Sequence, residues 1–121
     1  MIYNIGIDIV HIPKFKKAVV RWGDKLKKRL FTKDELAYCE NRRFSEQHLA
    51  VRFAAKEAFI KALGRGVRSK EIEVKNNSAG RPYLVSNAQL PDPNLKLLTH
   101  LTLSHDGDYC IAQVILETKE Q

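Results

Sequence analysis

The chain has 121 residues, 44% of them apolar and 29% charged, with a formal net charge of +7 from 21 Lys and Arg against 14 Asp and Glu. That length suits one domain (residues 1–121) around one core, and no apolar run is long enough to span a bilayer. The N-terminal residues lack the basic region and cleavage site of a signal peptide, and the widely separated Cys39 and Cys110 argue against a disulfide framework or a zinc site, pointing to buried thiols in a reducing cytoplasm.

Residues 2–10 read as a strand: Ile5, Ile7 and Ile9 alternate with Asn4, Gly6 and Asp8. Asp8 therefore shares its side with Gly6, a glycine that opens space beside the carboxylate; a simple strand-end aspartate has the same pattern. Pro13 suits the first turn of a helix, to which Phe15, Ala18, Val19 and Trp22 give an apolar face and Gly23 a stop. Lys14, Lys16, Lys17, Arg21, Lys25, Lys27, Lys28 and Arg29 crowd this stretch, opposed only by Asp24. Such an excess favours a polyanionic partner: nucleic acid, an anionic membrane or an acidic protein. A solvated helix face is the alternative.

Phe31 to Leu36 is a helix start, with Thr32 and Glu35 as a capping box and Phe31 and Leu36 as a hydrophobic staple. This helix ends near Glu40–Asn41. A short loop with Arg42 and Arg43 leads to Ser45, the expected N-cap of a long helix that Gly64-Arg65-Gly66 ends. On its wheel Leu49, Phe53, Ile60 and Leu63 form one apolar stripe, with Glu57 at the stripe's edge beside Ala50 and Ala54. Glu57 and Lys61 lie one turn apart. That spacing fits an i,i+4 ion pair of roughly 0.2–0.5 kcal/mol, and it equally fits a carboxylate for a hard metal ion followed by an ammonium for a phosphate. Lys56 projects into the stripe, either to snorkel out along its methylenes or to neutralise a charge in the site.

The second half changes character. Ile72 and Val74 alternate with charged residues, Asn76 to Gly80 supplies a turn, and Pro82 to Val85 resumes a strand. Pro91-Asp92-Pro93-Asn94 is a loop. Leu101 to His105 and Tyr109 to Leu116 are strands joined by Asp106-Gly107-Asp108. His105 sits where a strand meets a turn, a place that suits functional and structural histidines alike. Helices in the first half and hairpins in the second predict an α+β fold with the helices packed on an antiparallel sheet.

Gly6-Ile7-Asp8-Ile9-Val10, Arg52-Phe53-Ala54-Ala55-Lys56-Glu57-Ala58 with Lys61-Ala62-Leu63-Gly64, Gly80-Arg81-Pro82-Tyr83 and Leu103-Ser104-His105 together resemble the small bacterial holo-[acyl-carrier-protein] synthases. These belong to the 4′-phosphopantetheinyl transferase superfamily, and the resemblance covers nearly the whole chain. It implies that fold, and transfer of 4′-phosphopantetheine from coenzyme A to a serine of apo acyl carrier protein, releasing adenosine 3′,5′-bisphosphate and supporting fatty acid biosynthesis. It implies Mg²⁺ held by Asp8 and Glu57, and a phosphate contact for Lys61. Asp8, Glu57 and Lys61 are thus the expected catalytic set. Arg42, Arg43, Arg52, Lys61, Gly80, Pro82, Ser104 and His105 are expected to bind the cofactor, with guanidinium forks suited to phosphate.

The same resemblance makes the basic helix from Pro13 the carrier-docking helix, through Lys14, Lys17, Arg21 and Lys25. Lys14 stands where an arginine is more usual; a lysine keeps the charge and loses the fork. The serine proton goes to Glu57 or to a metal-bound water. A homotrimer with active sites between subunits is implied as well, in the cytoplasm. The basic run lacks aromatics beyond those of the helix face, and no nucleic-acid motif accompanies it. Neither nucleic acid nor membrane is therefore an expected partner.

Overall fold

The structure is a computed structural model and describes residues 1–121. In chain order it contains β1 (Ile2–His11), α1 (Ile12–Leu30), α2 (Lys33–Glu40), α3 (Ser45–Leu63), a 3₁₀ turn (Ser69–Glu71), β2 (Ile72–Asn76), β3 (Pro82–Ser86), β4 (Leu95–Asp106) and β5 (Tyr109–Glu120). The expected α+β class holds. All ladders are antiparallel: β1, β5 and β4 form one sheet in that order, and β2 and β3 form a hairpin. The first strand is thus held to the sheet by the last.

α3 is the hub, packed on β1 and β5 and flanked by α1, α2 and β2. Its sequence explains how. Ala50, Ala54, Ala55, Ala58 and Ala62 are all fully buried, so the helix lies close on the sheet, with Lys56 and Phe59 as the large side chains fully buried among them. Leu49 and Leu63 of the expected stripe are buried, whereas Phe53 and Ile60 are half-exposed. The closest approach is at Gly6, where an added Cβ would lie 2.0 Å from the Ala58 carbonyl oxygen and 2.8 Å from the Ala62 nitrogen. The sequence suggested that Gly6 leaves space beside Asp8. The α3 backbone fills that space, and the glycine is there for contact.

Alternation in the sheet is sharp. Cys110, Ala112, Val114 and Leu116 of β5 are buried against α3, as is Val10 of β1. The other face of β1 carries Ile5, Ile7 and Ile9 at 58%, 58% and 60% exposure, continued on β5 by Tyr109 and Ile111. This is a contiguous apolar face with nothing packed on it in a single chain.

Three local expectations are corrected. Gly23 does not stop α1 but kinks it, at φ 60° and ψ −144°, and helix resumes to Leu30. Trp22 consequently leaves the core: Ile12, Phe15 and Val19 are the buried face, and Trp22 lies 58% exposed under Arg21. The N-cap of α3 is Phe44, in the left-handed region, with Ser45 already helical and no side-chain cap. By contrast the Thr32–Glu35 capping box forms in full. His11 caps α1 by accepting from the Lys14 amide.

Candidate active site

The contact of Gly6 with Ala58 brings β1 and α3 together beside two carboxylates. Asp8 lies two residues beyond Gly6 on the same side of the strand, and Glu57 immediately precedes Ala58. Glu57 is half-buried. Burial first, and the charge of Asp8 second, raise its carboxyl pKa above the ordinary range, while Lys61 pulls it down. Two carboxylates pressed together in this way favour a cation.

Lys61 supplies one, although not by the ion pair that its spacing from Glu57 suggests. Its Nζ donates to Asp8 Oδ1 and to the Ile7 carbonyl, each at 3.0 Å. The Asp8 side chain is 15% exposed and that of Lys61 55%. No third His, Cys, Asp or Glu joins the pair. An ion held by Asp8 and Glu57 would complete its shell from phosphate and water, which is the manner of Mg²⁺, so this donor set fits a hard divalent ion.

Glu57 lines two grooves. One, of about 460 Å³, runs along α1 and also exposes Asp8, Lys14, Phe15 and Phe53. The other, of about 720 Å³, combines apolar Ile60 and Val67 with Arg29, Arg68 and Lys70. Leu26 and Leu30 contribute to both. Lys14, Lys17, Arg21 and Lys25 are exposed along α1, so the basic face leads into the first groove.

A second group of expected residues gathers elsewhere. Arg52 is 5% exposed and has no carboxylate partner; it donates to Asn76 Oδ1 at 2.8 Å and to the His48 carbonyl at 3.3 Å, and its Nε has no partner. Arg52 and Arg42 both stack on the Tyr38 ring, at 4.3 and 3.9 Å from its centroid. Asn76 also donates to the Gly80 carbonyl at 3.0 Å and pairs in register with Pro82, which ties the β2–β3 turn to Arg52. Burial, Arg52, Arg42 and His105 together hold the His48 imidazole below its usual pKa. His105 is exposed at the end of β4. Arg43 stands apart over Phe44, and Ser104 lies exposed opposite Ile111 on the bare sheet face. No hydrogen bond or ion pair joins this group to Asp8, Glu57 and Lys61. The expected residues therefore fall into two groups without a polar contact between them.

Lys56 belongs to neither group and does not snorkel. It is fully buried, pairs with Glu35 Oε1 and donates to the Leu30 carbonyl at 2.7 Å. Glu35, also buried, accepts from the Thr32 amide at 2.9 Å and from the Val74 amide at 2.9 Å. Burial lowers the Lys56 pKa, and Glu35 opposes that shift. This network ties the end of α1, the start of α2, the middle of α3 and β2 into one unit. Tyr38, His48, Arg68 and Lys70 escaped the sequence reading, whereas Asn76 had a signal as part of a turn cluster and Arg29 as part of the basic run.

The family model of the 4′-phosphopantetheinyl transferase superfamily matches residues 4–114. The holo-[acyl-carrier-protein] synthase of Geobacter sulfurreducens is 44% identical, over 97% of this chain and 98% of that protein. That of Blochmanniella floridana is 43% identical, over 97% and 99%. Among solved structures, a Bacillus anthracis holo-(acyl-carrier-protein) synthase in complex with CoA (3′,5′-ADP) superposes with a TM-score of 0.82 at 34% identity, covering 96% of each chain. The Neisseria meningitidis synthase gives 0.84 at 29% identity, covering 97% of this chain and 99% of that one. With matching sequence along almost its whole length and a fold that superposes on solved synthases over nearly all of both chains, this chain belongs to the holo-[acyl-carrier-protein] synthases of the 4′-phosphopantetheinyl transferase superfamily.

Proposed function

We propose that this enzyme transfers 4′-phosphopantetheine from coenzyme A to a serine of apo acyl carrier protein, with Mg²⁺ at Asp8 and Glu57, and so supplies fatty acid biosynthesis with its holo carrier. The observation that carries this reading is the placement of Asp8 and Glu57 where the basic face of α1 enters a groove. An acidic carrier docked on Lys14, Lys17, Arg21 and Lys25 would present its serine to that acidic pair. The second groove, part apolar and part cationic, is open at Glu57 for the other substrate.

Phosphoryl transfer depends mainly on positioning and charge stabilisation. When bound, Mg²⁺ supplies charge neutralisation at the diphosphate. The chain's own residues do the rest. Lys61 reaches a phosphate oxygen from the last turn of α3. Glu57, half-buried beside Asp8 at the mouth of the groove, is the carboxylate placed to take the serine proton. Arg52, a buried cation that no carboxylate neutralises, and Arg42 beside it offer a positive field for the nucleotide phosphates. Arg43, Gly80, Pro82, Ser104 and His105 complete the cofactor-binding side.

The two groups of residues come together if subunits associate. We take the assembly to be a homotrimer, in which the bare isoleucine face of β1 is covered by another copy. The test is a mass-shift assay with coenzyme A, Mg²⁺ and several apo carriers. A phosphopantetheine mass gain on the carrier is expected; no gain on any carrier would sink the reading.

A further inference from the structure

Lys61 holds the carboxylate that the metal ion would need. Its Nζ lies 3.0 Å from Asp8 Oδ1 and 3.0 Å from the Ile7 carbonyl oxygen, two hard oxygen donors of one strand. The contact depends on the close packing of α3 on β1 at Gly6, which puts the last turn of the helix over the strand. Asp8 is largely shielded, so its charge has little help from water, whereas the Lys61 side chain is more than half exposed and free to leave. A divalent ion and an ammonium that share one carboxylate oxygen repel each other at contact distance. One of them must go, or an anion must arrive to separate them.

We infer that Lys61 is the resident counter-ion of Asp8 in the substrate-free enzyme, and that it couples entry of the divalent ion to entry of the diphosphate. This rests on the proposed assignment of the metal to Asp8 and Glu57. A diphosphate draws the ammonium off Asp8 and at the same time offers the ion further oxygen ligands. Each ligand then raises the affinity for the other by the same factor, as linkage requires. The ion alone has to compete with Lys61. Coenzyme A alone has to pull Lys61 from its carboxylate and leave Asp8 bare beside Glu57. Lys61 is thus a positioning residue for the metal as well as a phosphate contact.

The test uses Mn²⁺ as the probe and follows the free ion by electron paramagnetic resonance, with and without saturating coenzyme A. The wild type is expected to bind Mn²⁺ weakly alone and at least tenfold more tightly with coenzyme A. Lys61→Met is expected to bind Mn²⁺ alone about tenfold more tightly than the wild type, with the coenzyme A effect much reduced and the thermal midpoint unchanged. Lys14→Met removes one positive charge from the groove that Asp8 and Glu57 line and is expected to leave Mn²⁺ affinity within about twofold. Equal gains in the two variants would assign the effect to net charge and overturn the inference. So would unchanged Mn²⁺ affinity in Lys61→Met while Asp8→Ala still abolishes wild-type binding, an outcome that leaves the metal assignment standing. If Asp8→Ala changes Mn²⁺ binding in no form, the metal assignment itself fails and the coupling falls with it.

Discussion

Glu57 is held in a state that costs stability. Its folded-state pKa is raised, so the ionised form is less welcome in the fold than in the unfolded chain. That destabilisation is fully present above the folded pKa and vanishes as pH falls below the unfolded value of about 4.3. On the proposed role of Glu57 as proton acceptor, Glu57→Gln is expected to lower kcat/KM by about 10²–10⁴-fold. In the same variant the urea midpoint should rise at pH 7, with the gain disappearing near pH 3.5. Paired titrations at the two pH values check the sign; a gain that grows on acidification would contradict it. The sequence placed Glu57 at the edge of the core by helical periodicity alone. It did not show that Lys61 would reach past its helical neighbour to Asp8, because that contact joins residues 53 positions apart.

The same difference in range separates what was legible from what was not among the elements. The Thr32–Glu35 box was readable because both partners lie within one turn, and it forms. The other role of Glu35, as the buried partner of Lys56, was not, since 21 positions separate them. Lys56→Met would strand the Glu35 carboxylate without its counter-charge, for an expected loss of about 3–5 kcal/mol, to be read by chemical denaturation. Lys56→Arg keeps the charge but not the fit, and should lose less. Gly6 is a second case: its pattern indicated room, while its contact with Ala58 shows none. Gly6→Ala must push α3 away from β1, and overpacking of this kind costs about 1–3 kcal/mol or more. Its activity should fall further than its stability predicts, because the same shift separates Asp8 from Glu57; a kcat/KM that merely tracks the folded fraction would refute this. The Gly23 kink and the Phe44 cap were missed for a related reason. A glycine or serine near a boundary states a preference, and packing on either side decides the residue at which the helix turns.

For the whole molecule, the question is what covers the isoleucine face. Ile5, Ile7 and Ile9 alternate as a strand should, but they face away from α3. Exposed apolar surface of that extent marks an interaction surface. On the proposed assembly, the wild type sediments as an oligomer and Ile7→Glu is expected to sediment as single chains and to lose transfer, while far-UV circular dichroism keeps its native form. A variant that stays assembled would remove the face from the interface. The opposite side carries the charge. Reversal at Lys17 and Arg21 together should raise the carrier KM by at least tenfold and leave that for coenzyme A nearly unchanged, with the difference shrinking as salt rises. A comparable rise for both substrates would mean that α1 is not the docking helix.

The pairing of the first strand with the last has a consequence in time. Met1 hydrogen-bonds to Thr118 across a separation of 117 positions, and every ladder partner of the strand bearing Asp8 comes from β5. Loops of that length close late, and folding dominated by such contacts is slow. During synthesis the helices and the β2–β3 hairpin can form as they emerge, but Asp8 has no strand to lie against until the C-terminal residues have left the ribosome. The ladder that holds the strand bearing Asp8 is therefore complete only once β5 has been made, and until then that strand has only helices, chiefly α3, to lie against.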